Sequence, residues 1–346
     1  MSKKVKLGFL GCGYMGQLAH LTNYMQLDNC EVIAVCDVRA KQAELVAKRY
    51  GIPSVHTDYH EMLKCKDIDA IVASQPFPNH VNLVCDVLNA GKHLLTEKPL
   101  CIFPENGKKL AEAAAKNNKI HMVAYHKRSD PAIEYAMSLI NSWRQTGEMG
   151  KMTYIRLSMP PGDWIGGADN PVNSGEKHEK YTPEANIPGI DQNTRERLVS
   201  FVNYYIHQVN LMRFLFGEDY ELTYTEKSGV LLAAQSVSGV PGILEMAPYS
   251  TKNDWQEHAL ICFEKGWIRV DMLAPLASQQ PGTVTYFTNA DPVGEYRTPV
   301  LPPVSAMRNQ AKNFVEAVAG IKKAPCESAE AVKDLEIAMR YIEMTK

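Results

Sequence analysis

A chain of 346 residues, 45% hydrophobic and 22% charged, has an ordinary globular composition and exceeds what one core usually serves, so two domains sharing a cleft are expected. A formal net charge of −2 offers no basic excess for phosphate backbones or anionic lipid, which speaks against nucleic acid and membrane surfaces as partners. The eight cysteines are scattered, with no CxxC pair and no cluster of histidines, as in a cytoplasmic protein with reduced thiols and no metal centre. The opening Met1-Ser2-Lys3-Lys4 runs straight into Val5-Lys6-Leu7-Gly8-Phe9-Leu10, too short an apolar stretch for a signal segment, and no later run reaches membrane-spanning length.

Over the first 125 residues short β-branched runs alternate with helical patterns. Strands are expected at Lys4 to Leu10, Glu31 to Cys36, Asp69 to Ser74, Lys92 to Thr96 and His121 to Tyr125. Helices are expected at Lys41 to Tyr50, Val81 to Ala90 and Pro104 to Asn118. Apolar strands separated by helices pair in parallel and are buried on both faces, which gives a doubly wound sheet with its ligand at the strand ends.

From Ser129 the pattern changes to a helix (Pro131 to Gln145), a strand (Met152 to Ser158), a long irregular stretch (Met159 to Thr194) and a single helix from Arg195 to Phe216. Strand-like runs then follow without intervening helices: Leu222 to Glu226, Val230 to Val237, Ile243 to Ala247, Ala259 to Phe263, Trp267 to Met272 and Val284 to Phe287. Two helical patterns, Ala306 to Ala319 and Ser328 to Met344, close the chain. The expected fold class is α/β: an N-terminal Rossmann domain over residues 1–126 and a C-terminal α/β domain over 127–346 with a large, mainly antiparallel open sheet. The last helix could pack back on the first domain. A stretch as long as Met159 to Thr194 suits a functional lid. Within it Glu176, Lys177, His178, Glu179 and Lys180 read as a solvated charge run.

Gly11-Cys12-Gly13-Tyr14-Met15-Gly16 is a GxGxxG directly after the first strand. Gly11 suits a tight turn, Gly13 lets the backbone approach a pyrophosphate, and Gly16 permits close helix–strand packing. Asp37 ends the second strand, from which a carboxylate reaches ribose hydroxyls, with Val38 and Arg39 after it. Asp37 repels a 2′-phosphate and favours NAD over NADP. Arg39 could pair with that phosphate, or be a solvated charge at the head of the next helix.

With the glycine motif, Ser74-Gln75-Pro76-Phe77-Pro78-Asn79-His80 and Thr96-Glu97-Lys98-Pro99 resemble the glucose-fructose oxidoreductase / inositol dehydrogenase (Gfo/Idh/MocA) family. Arg128-Ser129-Asp130-Pro131 and the helix around His207 fall at that family's places, so the resemblance spans essentially the whole chain. It implies an NAD(P)-dependent oxidoreductase acting on CH–OH groups, commonly a homo-oligomeric dimer or tetramer joined through the open sheet. Gln75, Pro76, Asn79, His80, Glu97 and Lys98 then join the glycine loop and Asp37 to Arg39 as cofactor-binding residues. Lys98 is a catalytic residue by the same resemblance. Physically, a lysine before proline favours an extended backbone and projects from a strand end, where its ammonium can stabilise a developing alkoxide.

The family's Asp-x-x-x-His motif is matched here by Asn203-Tyr204-Tyr205-Ile206-His207. On one helix Asn203, His207 and Asn210 would share a face, with His207 as general base and Asn203 and Asn210 as substrate-binding amides. Asn203 departs from the pattern, because an amide cannot raise the imidazole's basicity as a carboxylate would. His126, at the end of the fifth run, faces nicotinamide or substrate, or is structural. Trp164 offers a platform for a sugar face, or anchors the long loop.

Three functions remain open on this reading. The leading one is hydride transfer between NAD and a secondary hydroxyl or carbonyl of a sugar, cyclitol or glycoside. A redox-neutral glycosidase would instead oxidise, eliminate and reduce with retained cofactor. A non-enzymatic dinucleotide or sugar sensor would not need Lys98 and His207.

Overall fold

The computed structural model describes residues 4–177, 184–246, 249–289 and 292–345. His178, Glu179 and Lys180 of the charge run and Ala247 of one expected strand lie outside them. The chain forms two compact units: residues 1–125, 168–199 and 310–335 make the first, and 126–167, 200–309 and 336–346 the second.

The first unit holds a six-stranded sheet: β1 (Val5–Leu10), β2 (Cys30–Cys36), β3 (Ser54–His56), β4 (Ala70–Ala73), β5 (His93–Thr96) and β6 (His121–Val123). Its order is β3-β2-β1-β4-β5-β6 and every pairing is parallel, the doubly wound arrangement expected from the sequence. Central strands buried on both faces explain the near-continuous apolar runs: Leu7, Phe9, Ile71, Val72, Leu94 and Leu95 are at most 1% exposed. Each such side chain contributes about 1.5–3 kcal/mol of burial. The helices Ala40–Tyr50, His80–Asn89 and Pro104–Asn117 lie where the periodicity puts them. β3 and the short helix Tyr59–Leu63 were not expected, because three and five residues carry no readable period.

The contiguous division after residue 126 needs correction. Ala311, Phe314 and Val315, from the helix Ala306–Val318, are buried in one cluster with Val5, Leu7 and Phe9, so the chain returns to the first unit near its end. Residues 168–199 return to it as well. The physical cause is the same in both places: these segments bury apolar or hydrogen-bonding side chains against the parallel sheet's helices.

The second unit carries an eight-stranded sheet of β7 (Met152–Ser158), β8 (Tyr220–Thr225), β9 (Leu231–Ser236), β10 (Pro241–Glu245), β11 (Glu257–Phe263), β12 (Gly266–Met272), β13 (Thr283–Thr288) and β14 (Glu295–Arg297). The order is β14-β13-β12-β11-β7-β10-β9-β8, antiparallel except for the parallel pair β7 and β10. The helix Pro131–Thr146 is capped by Asp130, whose carboxylate accepts from Ala132 N at 2.9 Å and from Gly282 N at 3.1 Å. Its Trp143 meets Phe263 edge-on, with ring centroids 5.1 Å apart.

The single helix expected over Arg195 to Phe216 is two helices, Gln192–Tyr204 and Ile206–Phe216. Tyr205 interrupts them at φ −97° and ψ −1°, and its hydroxyl donates to Met246 O at 2.9 Å. That tether outside the helix gives the interruption a fixed place, which periodicity does not reveal.

Candidate active site

The strand ends of the first sheet gather the dinucleotide motif at the point where strand order reverses, between β1 and β4. Gly11 sits at φ +92°, and a Cβ there would lie 2.4 Å from Ser74 O. A Cβ on Gly16 would lie 2.1 Å from Gly11 O. Packing alone therefore demands these two glycines. Gly13 differs: a Cβ built on it meets nothing nearer than Arg39 Nη2, at 3.8 Å. No protein atom requires glycine at this point, and an open backbone edge before a helix N-terminus is the cradle a pyrophosphate fills.

The helix after the motif opens as a π-helical turn, Gly16–Leu21, before continuing as Thr22–Tyr24. His20, 1% exposed in this turn, holds Glu97 through Nε2···Oε1 at 2.6 Å. The Glu97 carboxylate also accepts from Lys98 N at 3.1 Å. Burial alone would raise the Glu97 carboxyl, but His20 and the Lys98 charge bring it below its ordinary value. Lys98 is half-buried at the end of β5, joined to Pro99 by a cis peptide.

Asp37 is 5% exposed and saturated with donors. Cys12 N reaches Oδ2 at 2.8 Å, Arg39 N reaches Oδ1 at 3.0 Å, and the Arg39 guanidinium grips both oxygens, Nε–Oδ1 at 2.9 Å and Nη2–Oδ2 at 2.8 Å. Burial pushes this carboxyl up, and the hydrogen bonds from Arg39 and Cys12 more than offset it, so it lies below the usual carboxylate range. Arg39 is thus corrected from a solvated charge to the partner of Asp37. Val38 between them is 68% exposed, an apolar side chain open to a ligand.

The segment 168–176 lies across this motif as a strap. Gln17 and Gln42, both buried, each donate to Cys12 O and to Val172 O, all at 2.9–3.0 Å. In return Val172 N donates to Gln17 Oε1 at 2.9 Å and Ser174 N to Gln42 Oε1 at 2.8 Å. Tyr14 Oη reaches Ala168 O at 3.2 Å, and Glu176 accepts from Gln42 N at 3.0 Å, in the first turn of helix Ala40–Tyr50. Glu176 is therefore a helix-capping carboxylate and not part of a solvated run. Nothing in the sequence singles out these contacts, which join residues 130 to 155 positions apart. His20 carried a legible signal: a histidine in the first turns after a glycine motif.

Among the other residues expected at the cofactor, Gln75 lies beside the glycine turn, with Nε2 3.0 Å from a Cβ built on Gly11. Met15 and Asn79 are partly exposed and Pro76 is exposed. His80 is fully buried at the start of its helix, with Nδ1 3.0 Å from Leu100 O.

In the second unit His126 and His207 stand ring to ring, centroids 4.6 Å apart and planes at 75°. Asn210 is buried, and its Oδ1 accepts from Arg128 Nε at 2.6 Å, so this amide fixes Arg128. Lys127 and Glu257, each 3% exposed, form a buried ion pair; Gln208 Nε2 donates to the same carboxylate at 2.7 Å and Trp255 Nε1 at 3.2 Å. Removing one partner of such a pair costs about 3–5 kcal/mol. Asn203 is exposed on the helix before Tyr205, and His207 is half-buried on the helix after it. Trp164 is 38% exposed, and its carbonyl accepts from Leu276 N at 3.2 Å. Among the described residues, no group of three or more His, Cys, Asp or Glu is placed to hold a metal ion, and no helix is long and apolar enough to cross a membrane.

A doubly wound sheet with an open glycine cradle, an acidic residue closing β2 and a lysine at the end of β5 defines a dinucleotide-binding oxidoreductase. Comparison with known proteins agrees. Residues 5–125 match the profile of an oxidoreductase family with an NAD-binding Rossmann fold, the Gfo/Idh/MocA family. Inositol 2-dehydrogenase of Salmonella typhimurium is 24% identical over 288 residues, 79% of this chain and 76% of that protein. D-glucoside 3-dehydrogenase of Escherichia coli is 30% identical over 127 residues, 37% of this chain and 36% of that one. The crystal structure of aldose-aldose oxidoreductase from Caulobacter crescentus superposes with a TM-score of 0.74 at 16% identity, covering 99% of this chain and 98% of that one. Over residues 5–125 the chain is similar to the Gfo/Idh/MocA oxidoreductase family.

Proposed function

We propose that this protein is an NAD-dependent oxidoreductase that moves hydride between the nicotinamide and a secondary hydroxyl or carbonyl of a sugar, cyclitol or glycoside. The observation that carries the reading is the open face of Gly13 beside an ionised Asp37, on a sheet whose strand β5 leads into Lys98. When bound, the cofactor supplies the hydride acceptor. Gly11 to Gly16 and the helix amides after them hold its pyrophosphate, Asp37 holds ribose hydroxyls and Val38 covers the adenine side. Gln75, Pro76, Asn79, Glu97 and Lys98 line its nicotinamide end. Lys98, aimed by the His20–Glu97 pair, stabilises the reacting oxygen. His207 accepts the hydroxyl proton, and Asn203 and Trp164 offer an amide and an aromatic face to a polyol.

NAD is preferred to NADP because Asp37 is ionised and would face a 2′-phosphate. The substrate class is supported by the named activities of the relatives, which act on inositol and glucosides. Free thiols at all eight cysteines fit a cytoplasmic site of action. A homo-oligomer would use the sheet face where Ile243, Leu260 and Trp267 are only half-buried.

One observation favours a second reading. The strap held by Gln17 and Gln42 lies against the glycine loop, as suits a cofactor that stays bound through a redox-neutral cycle such as glycoside cleavage. Incubation with NAD and a panel of polyols and glycosides, followed by near-ultraviolet absorbance and mass spectrometry of products, separates the two. Net NADH supports the dehydrogenase; cleavage without NADH supports the redox-neutral cycle.

A further inference from the structure

His126 and His207 are held in contact by a ladder of neighbouring pairs. Their rings meet edge to face, with centroids at 4.6 Å. One position along the chain, Lys127 and Gln208 bind the same Glu257 carboxylate. Further along, Arg128 donates to Asn210 at 2.6 Å. All of Lys127, Arg128, Gln208, Asn210 and Glu257 are 5% exposed or less. Buried, charge-assisted hydrogen bonds on this scale leave the two imidazoles little freedom to separate.

Two imidazoles so placed are not independent. In an edge-to-face contact the positive edge of one ring meets the electron-rich face of the other, and protonating the edge-on ring strengthens the attraction. Protonating both sets two like charges against each other. We propose that His126 and His207 hold one proton as a pair, and that the neutral His126 ring steadies the imidazolium that His207 becomes. The proposal rests on the reading of His207 as base. In the step, the substrate O–H bond would break as an N–H bond forms on His207, and a dinucleotide held by the first unit would take the C–H electron pair as hydride. His126 is a positioning residue for that charge.

The charged groups around the pair are compatible with a single proton. Lys127 and Glu257 neutralise each other, and Arg128 adds a fixed positive charge on the His126 side. Asp130 caps its helix and Tyr204 precedes the break at Tyr205. The segment beside His126 that lines a small cavity, Met272 to Ala277, contributes apolar side chains and no titratable one.

The test is a pH titration of the cofactor-free protein carrying ¹³Cε1-labelled histidine, followed by proton–carbon correlation spectra, with the His126 and His207 signals assigned from His126→Phe and His207→Phe. Both signals should report the same two steps, separated by more than about one pH unit. In each variant the remaining imidazole should follow a single one-proton curve. Two independent curves, each unchanged when the neighbour is replaced, overturn the pair. Should the Phe variant at 126 fail to fold, His126→Asn gives the same comparison. On whichever substrate the panel identifies, His126→Asn should lower kcat about 10-fold with KM within about 2-fold, and an unchanged kcat overturns the role. The titration needs no substrate, so coupled histidines in a protein that oxidises no polyol would leave the pair standing and refute the dehydrogenase reading alone.

Discussion

Arg39 clasps Asp37 through two parallel hydrogen bonds of 2.9 and 2.8 Å, so the residue that should bind ribose and the residue that could bind a 2′-phosphate neutralise each other. A ribose diol can share Asp37 with Arg39, whereas a 2′-phosphate needs the guanidinium turned away and leaves Asp37 facing an anion. Arg39→Ala should therefore weaken NADPH binding about 10-fold or more while NADH affinity moves less than about 3-fold. Asp37→Ala should weaken NADH about 10-fold. Fluorescence titration of both nucleotides checks this, and parallel changes in the two affinities would separate Arg39 from cofactor choice.

The glutamine-held strap predicts a kinetic effect. In the Gln17→Ala, Gln42→Ala double variant the carbonyls of Cys12 and Val172 lose both amide donors. NADH should then dissociate about 10-fold faster in stopped-flow displacement, with a smaller change in association. An unaltered dissociation rate would mean the strap does not retain the cofactor.

His121 makes stability depend on pH. Its ring is fully buried against Thr96 Oγ1 at 3.0 Å, and burial, with the neighbouring His80, pushes its pKa from 6.5 down to about 3. The unfolded chain binds this proton at a higher pH than the folded one. The contribution is therefore whole above 6.5 and is lost as pH falls towards 3. Urea unfolding should show His121→Gln losing less stability than the parent protein when pH drops from 7 to 5. Equal losses would place the acid sensitivity elsewhere.

Much of this was legible from local sequence. The glycine motif, the apolar parallel strands and Glu97-Lys98-Pro99 depend on neighbours within a few residues, and all sit where their pattern puts them. The Asp37–Arg39 pair was half-visible, since spacing brings both to one turn but does not decide between pairing and solvation. The strap, the ladder beneath His126 and the return of Phe314 to the first core join residues far apart in the chain, and no local period encodes them. The break at Tyr205 was hidden because neither glycine nor proline stands near it.

Lys98 stands at the centre of the proposed chemistry. Lys98→Ala should lower kcat by about 100-fold or more and leave NADH affinity within about 3-fold, since the pyrophosphate and ribose contacts lie elsewhere. Lys98→Arg restores charge but not the compact ammonium, and should rescue only a small part of the loss.

The most direct measurement is NADH formation by the purified protein with NAD and single polyols, cyclitols and glycosides, run beside Lys98→Ala. Net NADH is expected with at least one compound, together with a ketone product two hydrogens lighter, and near-silence from the variant. Turnover that survives undiminished in Lys98→Ala, or no redox change with any polyol in a protein that binds NAD, would contradict it.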